Sequence, residues 1–142
     1  MSTETATTSV GRFNDPRKLA VPLIHTLLLQ VLVGIANTIY LKVPTSGNAW
    51  KDSTPSWLLG LHMLVATLVI VLALLMAYAA IKSSNKTWTT ASIIGIVSVL
   101  AAFLGGTLFL SGNGQQDAYS MLMAVGAVVA IAGYVSALGK KA

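Results

Sequence analysis

Residues 57–81 read WLLGLHMLVATLVIVLALLMAYAAI. These 25 consecutive positions hold no Asp, Glu, Lys or Arg, and His62 is the only side chain among them that ionises near neutral pH. As a helix the stretch is about 37 Å long, enough to cross a hydrocarbon core of ~30 Å with some tilt. Residues 19–41, 88–110 and 118–138 repeat the pattern, again without a charged side chain. None of the four stretches shows the period-two alternation of a transmembrane barrel strand. They predict an all-α, integral membrane four-helix bundle.

Composition agrees. Apolar residues make up 55% of the chain and charged residues 9%, too few charges to cover a water-facing surface. The absence of cysteine excludes disulfides, thiolate metal sites and covalent c-type haem attachment. A net charge of +5 could suggest nucleic acid, but the basic residues are scattered at span ends. They read as topology, and nucleic acid is not an expected partner.

Arg12, Arg17, Lys18, Lys82, Lys86, Lys140 and Lys141 fall on one side of a four-span arrangement, and only Lys42 and Lys51 on the other. The positive-inside rule then predicts both termini in the cytoplasm. Residues 1–18 are polar and lack the apolar core of a signal peptide, so they read as a retained, mostly disordered cytoplasmic segment before a transmembrane domain over 19–142. The expected location is the plasma (inner) membrane of a prokaryote. Trp50, Trp57, Tyr40 and Tyr119 are expected along the outer interface, and Trp88, Tyr78 and Tyr134 along the inner one. Loop 42–56, with Pro44, Gly47 and Pro55, is the longest connection. Its Asp52-Ser53-Thr54-Pro55 run supplies a cap and a first-turn proline. Residues 82–87 and 111–117 are turns, the latter bringing Asp117 to the start of the fourth helix. Short loops favour antiparallel neighbours, hence an up-down-up-down order. The Asn85-Lys86-Thr87 sequon falls on the cytoplasmic side and is discounted.

Stripes of small residues run along the third span (Gly95, Ser98, Ala102, Gly105, Gly106, Phe109) and the fourth (Tyr119, Met123, Gly126, Ala130, Gly133, Ala137). Such stripes let membrane helices approach closely, or leave room for a flat cofactor. On the second span His62 shares a face with Ala66, Val69, Ala73 and Met76. On the first, Thr26, Gln30, Gly34 and Asn37 form a polar and small stripe with His25 to one side. Gln30 and Asn37 read as bonds across helices, or as contacts to a ligand such as a quinone.

An imidazole in hydrocarbon needs a partner, a wet cavity or a metal. From the span limits, His25 and His62 lie about 9 Å and 8 Å inside opposite faces, roughly 13 Å apart in depth. Two axial ligands of one iron need nitrogens only about 4 Å apart, so the two histidines do not clasp one haem. Met121 and Met123 come near the depth of His62, and a His/Met pair is a known haem ligation; methionine is equally a gap-filler. His62 is thus either a haem-iron ligand or a hydrogen-bonded structural residue. His25 is either an interfacial residue bonded to its own helix or the ligand of a second, inner haem. The four acids, Glu4, Asp15, Asp52 and Asp117, all lie outside the spans, so there is no carboxylate proton relay, and no nucleophile set or phosphate loop accompanies them. No catalytic residue is assigned, and catalytic activity by the chain alone is not expected.

The run Leu29-Gln30-Val31-Leu32-Val33-Gly34, then Pro44, then Leu61-His62-Met63-Leu64-Val65-Ala66 resembles a motif pair of the haem A synthase family, and Gly105-Gly106-Thr107 is similar to that family's glycine-rich span ends. In that family a Q-x-x-x-G helix leads through an outer loop to a helix opening with an H-x-x-x-A haem ligand, and members are built from four-helix halves. The resemblance covers residues 29–78. It implies a single such half, a membrane b-type cytochrome binding haem b with His62 as an axial ligand on the outer side. The fourth span carries Met121 and Met123 where a second histidine is expected, and the family's glutamate and arginine have no counterpart. That points away from haem oxidation and toward electron transfer in or beside a respiratory complex. The competing expectation is an accessory subunit without a cofactor, its small-residue faces meeting other membrane subunits. A small transporter-like module is a third reading, against which stands the lack of mid-membrane charges and broken helices.

Overall fold

A computed structural model describes residues 15–42, 49–111 and 116–140. It contains four long helices, α1 (Pro16–Tyr40), α3 (Ser56–Lys82), α4 (Lys86–Leu110) and α5 (Gln116–Gly139), and a single-turn helix α2 (Ala49–Asp52). All four long helices are sufficiently long and apolar to cross a membrane. Only 17% to 33% of each spanning window is buried by the protein itself. The remaining apolar surface needs lipid or another apolar partner, which is what a multi-pass membrane protein presents.

The helix limits follow local chemistry. The Asp15 carboxylate accepts from the Arg17 N–H at 3.0 Å, and Pro16 follows at the first position, where its missing N–H costs nothing. Helix α1 therefore begins three residues before the expected Leu19, and Pro16, Arg17 and Lys18 belong to it rather than to a disordered segment. Residues 1–14, Pro44, Gly47, the Gly112–Gln115 part of the outer turn, Lys141 and the Trp50 side chain lie outside the described residues. The expected cap of α3 takes another form. Thr54 exchanges backbone hydrogen bonds with Lys42, at 3.0 and 3.2 Å, and Pro55 is the cap residue, without a side-chain bond. The 42–56 connection also contains α2, a turn of helix that the Pro and Gly signals concealed. Between α3 and α4, Ser84 takes a left-handed conformation with φ 52°. The sequon residue Asn85 then caps α4, its side-chain oxygen accepting from the N–H groups of Thr87 and Trp88 at 3.0 and 3.4 Å.

Each long helix packs on the next, α1 on α3, α3 on α4 and α4 on α5, and α5 returns to α1. The α4–α5 interface is the most extensive, and the small-residue stripes make it. Gly126 lies against the Ser98 carbonyl and Ala102, Gly105 against the Tyr119 carbonyl and Met123, and Gly95 beneath the Tyr134 ring. The contacts climb α5 as they descend α4. Close packing, rather than a slot for a flat cofactor, is what these glycines provide here.

Two belt assignments are corrected. Tyr134 is 0% exposed and Trp88 7% exposed; both are part of the core, because Gly95 leaves a recess for the tyrosine ring that no lipid-facing position offers. Tyr78, Trp57 and Tyr40 do face outward. The main core cluster runs through Leu19–Leu27 of α1, Val69–Ala80 of α3, Trp88–Val99 of α4 and Ala130–Ala137 of α5. It fills the end of the bundle nearest Arg17 and Lys140. Toward the other end the later turns of α1 and the first turns of α5 are only half-buried or exposed, Val33 excepted. His62 sits in that looser half.

Candidate functional site

Gln30, Gly34 and Asn37 fall on one face of α1, four and three residues apart. Gly34 matters sterically, since a Cβ there would stand 3.6 Å from His62 Cε1, so the α1 backbone forms the floor under the imidazole. The Gln30 amide nitrogen lies 3.0 Å from His62 Nε2 and 3.4 Å from Nδ1. The expected cross-helix bond of Gln30 is therefore present, and its partner is the histidine of α3.

Polar capacity remains. Gln30 Oε1 and Asn37 Oδ1 are buried without a partner. In a bilayer, where no bulk water reaches such atoms, each unsatisfied oxygen is costly. They stand about 10 Å apart along α1. Val69, Ala73 and Met76, which share the His62 face, are buried, so that face does point into the bundle.

The other predicted site residues lie elsewhere. His25 is exposed, and its Nδ1 donates to the Val21 carbonyl of the preceding turn at 2.8 Å. Thr26 makes the same kind of bond to the Pro22 carbonyl at 2.8 Å; together they dress the helix around its internal proline. His62 is level with Gln30 and Gly34, whereas His25 lies about 7 Å below Gln30 along α1 and faces outward, so the two imidazoles are held apart. Met121 is 69% exposed. Met123 lies along the glycine pair of α4, where its sulfur would stand 3.3 Å from a Cβ at Gly106. The described contacts of Met123 are thus to α4, and those of His62 to α1. Among the described residues no group of three His, Asp or Glu side chains could hold a metal ion.

Of the residues expected to ligate haem iron, His62 is the one whose ring nitrogens meet another helix, and it could hold a metal only in exchange for Gln30. Were a metal held there, the unpartnered Gln30 Oε1 could accept from the other ring nitrogen, as the groups that support ligating histidines do. Among the described residues, neither Met121 nor Met123 has a contact with His62: one is exposed and the other lies against Gly105 and Gly106. The pairing of His62 with Gln30 and Gly34 could not be read from periodicity, although the Q-x-x-x-G spacing on the first span was its signal. No family model matches the chain, and searches of curated proteins and solved structures returned no match.

Proposed function

We propose that the chain is a four-span, up-down-up-down membrane protein with both termini in the cytoplasm, which binds haem b through His62 and serves electron transfer. When bound, the haem would supply one-electron chemistry that the chain's own side chains lack. His62 would ligate the iron, and Gln30 would orient the ring through Nδ1–H. A respiratory protein of a prokaryotic plasma membrane, or a quinone, would exchange the electron. The observation that carries the reading is the unpartnered Gln30 Oε1 beside the His62 imidazole, within the loosely packed half of an otherwise apolar bundle. The likeness of residues 29–34 and 61–66 to haem A synthase motifs supports the same ligand.

The second reading is an accessory membrane subunit without a cofactor. It is favoured by the 3.0 Å Gln30–His62 contact, which already satisfies the imidazole as a structural cross-link. Reduced-minus-oxidised spectra of protein purified in detergent, after expression with ample haem, separate the two. The haem reading expects a Soret band that is lost in His62→Ala and kept in His25→Ala. Protein without a band leaves the accessory-subunit reading standing.

A further inference from the structure

At the end of the bundle opposite His62, a groove of about 530 Å³ opens between α4 and α5, within the roughly 300–1,000 Å³ range of small-ligand sites. Its rim carries Lys86 and Lys140 with the hydroxyls of Thr90 and Ser136, and its floor is Ile94, Val129 and Gly133. Among its lining residues there is no acid. A second cavity of about 350 Å³ adjoins it, sharing Thr87, Ala137 and Lys140 and adding Arg17 and the acid Asp15. Arg17 donates to the carbonyls of Leu138 and Lys140, at 3.4 and 3.0 Å. This ties the Lys140 backbone to the start of α1 and fixes where its ammonium group emanates.

We infer that this groove holds an anionic phospholipid, the phosphate between Lys86 and Lys140 and one acyl chain along the Ile94–Gly133 floor. Two ammonium groups beside hydroxyl donors complement a phosphodiester, and juxtamembrane lysines attract anionic headgroups. Ile94 and Val129 are both exposed on the apolar lateral surface, so the floor opens sideways toward acyl chains. A free phosphate would leave that floor uncovered. Gly133 keeps the groove open, because the nearest atoms to a Cβ there stand at 3.7 and 3.9 Å. The site depends on the membrane-spanning character of the helices and not on a haem, since none of its residues touches His62.

The test is native mass spectrometry of the full chain in detergent with equimolar phosphatidylglycerol and phosphatidylcholine. The wild type should retain one phosphatidylglycerol preferentially. Each lysine removed should lower that preference about fivefold, and K86Q/K140Q about twenty-five-fold. Gly133→Leu should expel both lipids without altering charge. Equal retention of the two lipids by the wild type, or a preference that survives K86Q/K140Q, would overturn the inference. So would displacement of the lipid by millimolar inorganic phosphate, or a dimer abolished by Gly133→Leu in place of a lipid adduct. Both lysines are exposed, so the charge variant keeps its helical spectrum and decides the matter alone if Gly133→Leu does not fold.

Discussion

Alanine at Gly126 and alanine at Gly133 should have opposite effects, although both glycines lie on the inward stripe of α5. A Cβ at Gly126 would stand 2.7 Å from the Ser98 carbonyl oxygen and 3.0 Å from the Ala102 Cβ. Ordinary contact begins near 3.4 Å, so α4 must retreat by about 0.7 Å at that level. The Ser98 oxygen is helix backbone and cannot rotate aside. A radial gap of ~0.5–1 Å forfeits a quarter to a half of each contact's attraction, and in lipid such packing is what holds helices together. Overpacking of this kind costs about 1–3 kcal/mol, while loss of a mid-helix glycine returns up to ~1 kcal/mol. With the full return subtracted, a net loss of about 0–2 kcal/mol should remain for Gly126→Ala. At Gly133 the added carbon meets only ordinary contacts at 3.7 and 3.9 Å, so Gly133→Ala should be neutral or stabilising by up to ~1 kcal/mol. Reversible unfolding in mixed micelles by SDS titration, followed by circular dichroism, measures both. Equal stability of the two variants would refute the idea that backbone contact at Gly126 sets the α4–α5 separation.

Other outcomes follow from single contacts. A double-mutant cycle of Gln30→Leu and His62→Leu should give a coupling of about 0.6–2 kcal/mol by the same titration; strict additivity would mean that the 3.0 Å contact does not form. Tyr134→Phe removes a buried hydroxyl that has no partner, so it should be neutral or stabilising, whereas Tyr134→Ala should cost ~3–5 kcal/mol by emptying the recess over Gly95. A loss above ~1 kcal/mol in Tyr134→Phe would show that the hydroxyl is hydrogen-bonded after all. Asn85→Ala should cost about 1 kcal/mol through the lost α4 cap, and Asn85→Asp should retain most of it; hydrogen exchange at the Thr87 and Trp88 amides reads the local effect. Arg17→Gln should raise exchange in the last turn of α5, whose carbonyls the guanidinium now occupies.

Much of the site's composition was legible early, and its assembly was not. Gln30, Gly34 and Asn37 stood out as a polar stripe because polar side chains in a membrane span are rare and costly. His62 stood out for the same reason. That these two stripes meet could not be read, because the remaining faces of each span are almost uniformly apolar and lipid provides no contrast between inside and outside. For that reason Tyr134 and Trp88, aromatic residues near span ends, read as belt residues although both are buried. The Asn85 cap is legible in the sequence, since Asn immediately before a helix is a strong capping signal.

The sequence by itself determined the class of the protein and the extent of its helices. In hydrocarbon each segment must satisfy its own backbone, so a long uncharged run becomes a helix whatever surrounds it. The limits fall within three residues of those predicted, with Asp15 and Pro16 accounting for the largest difference. Pairing was decided by tertiary structure alone. Gly95 receives Tyr134, thirty-nine positions later, Gly126 abuts the backbone at Ser98, and Gly34 supports the ring of His62. These are fits of shape between distant residues. Without a hydrophobic gradient to orient the helices, steric complementarity selects which faces meet.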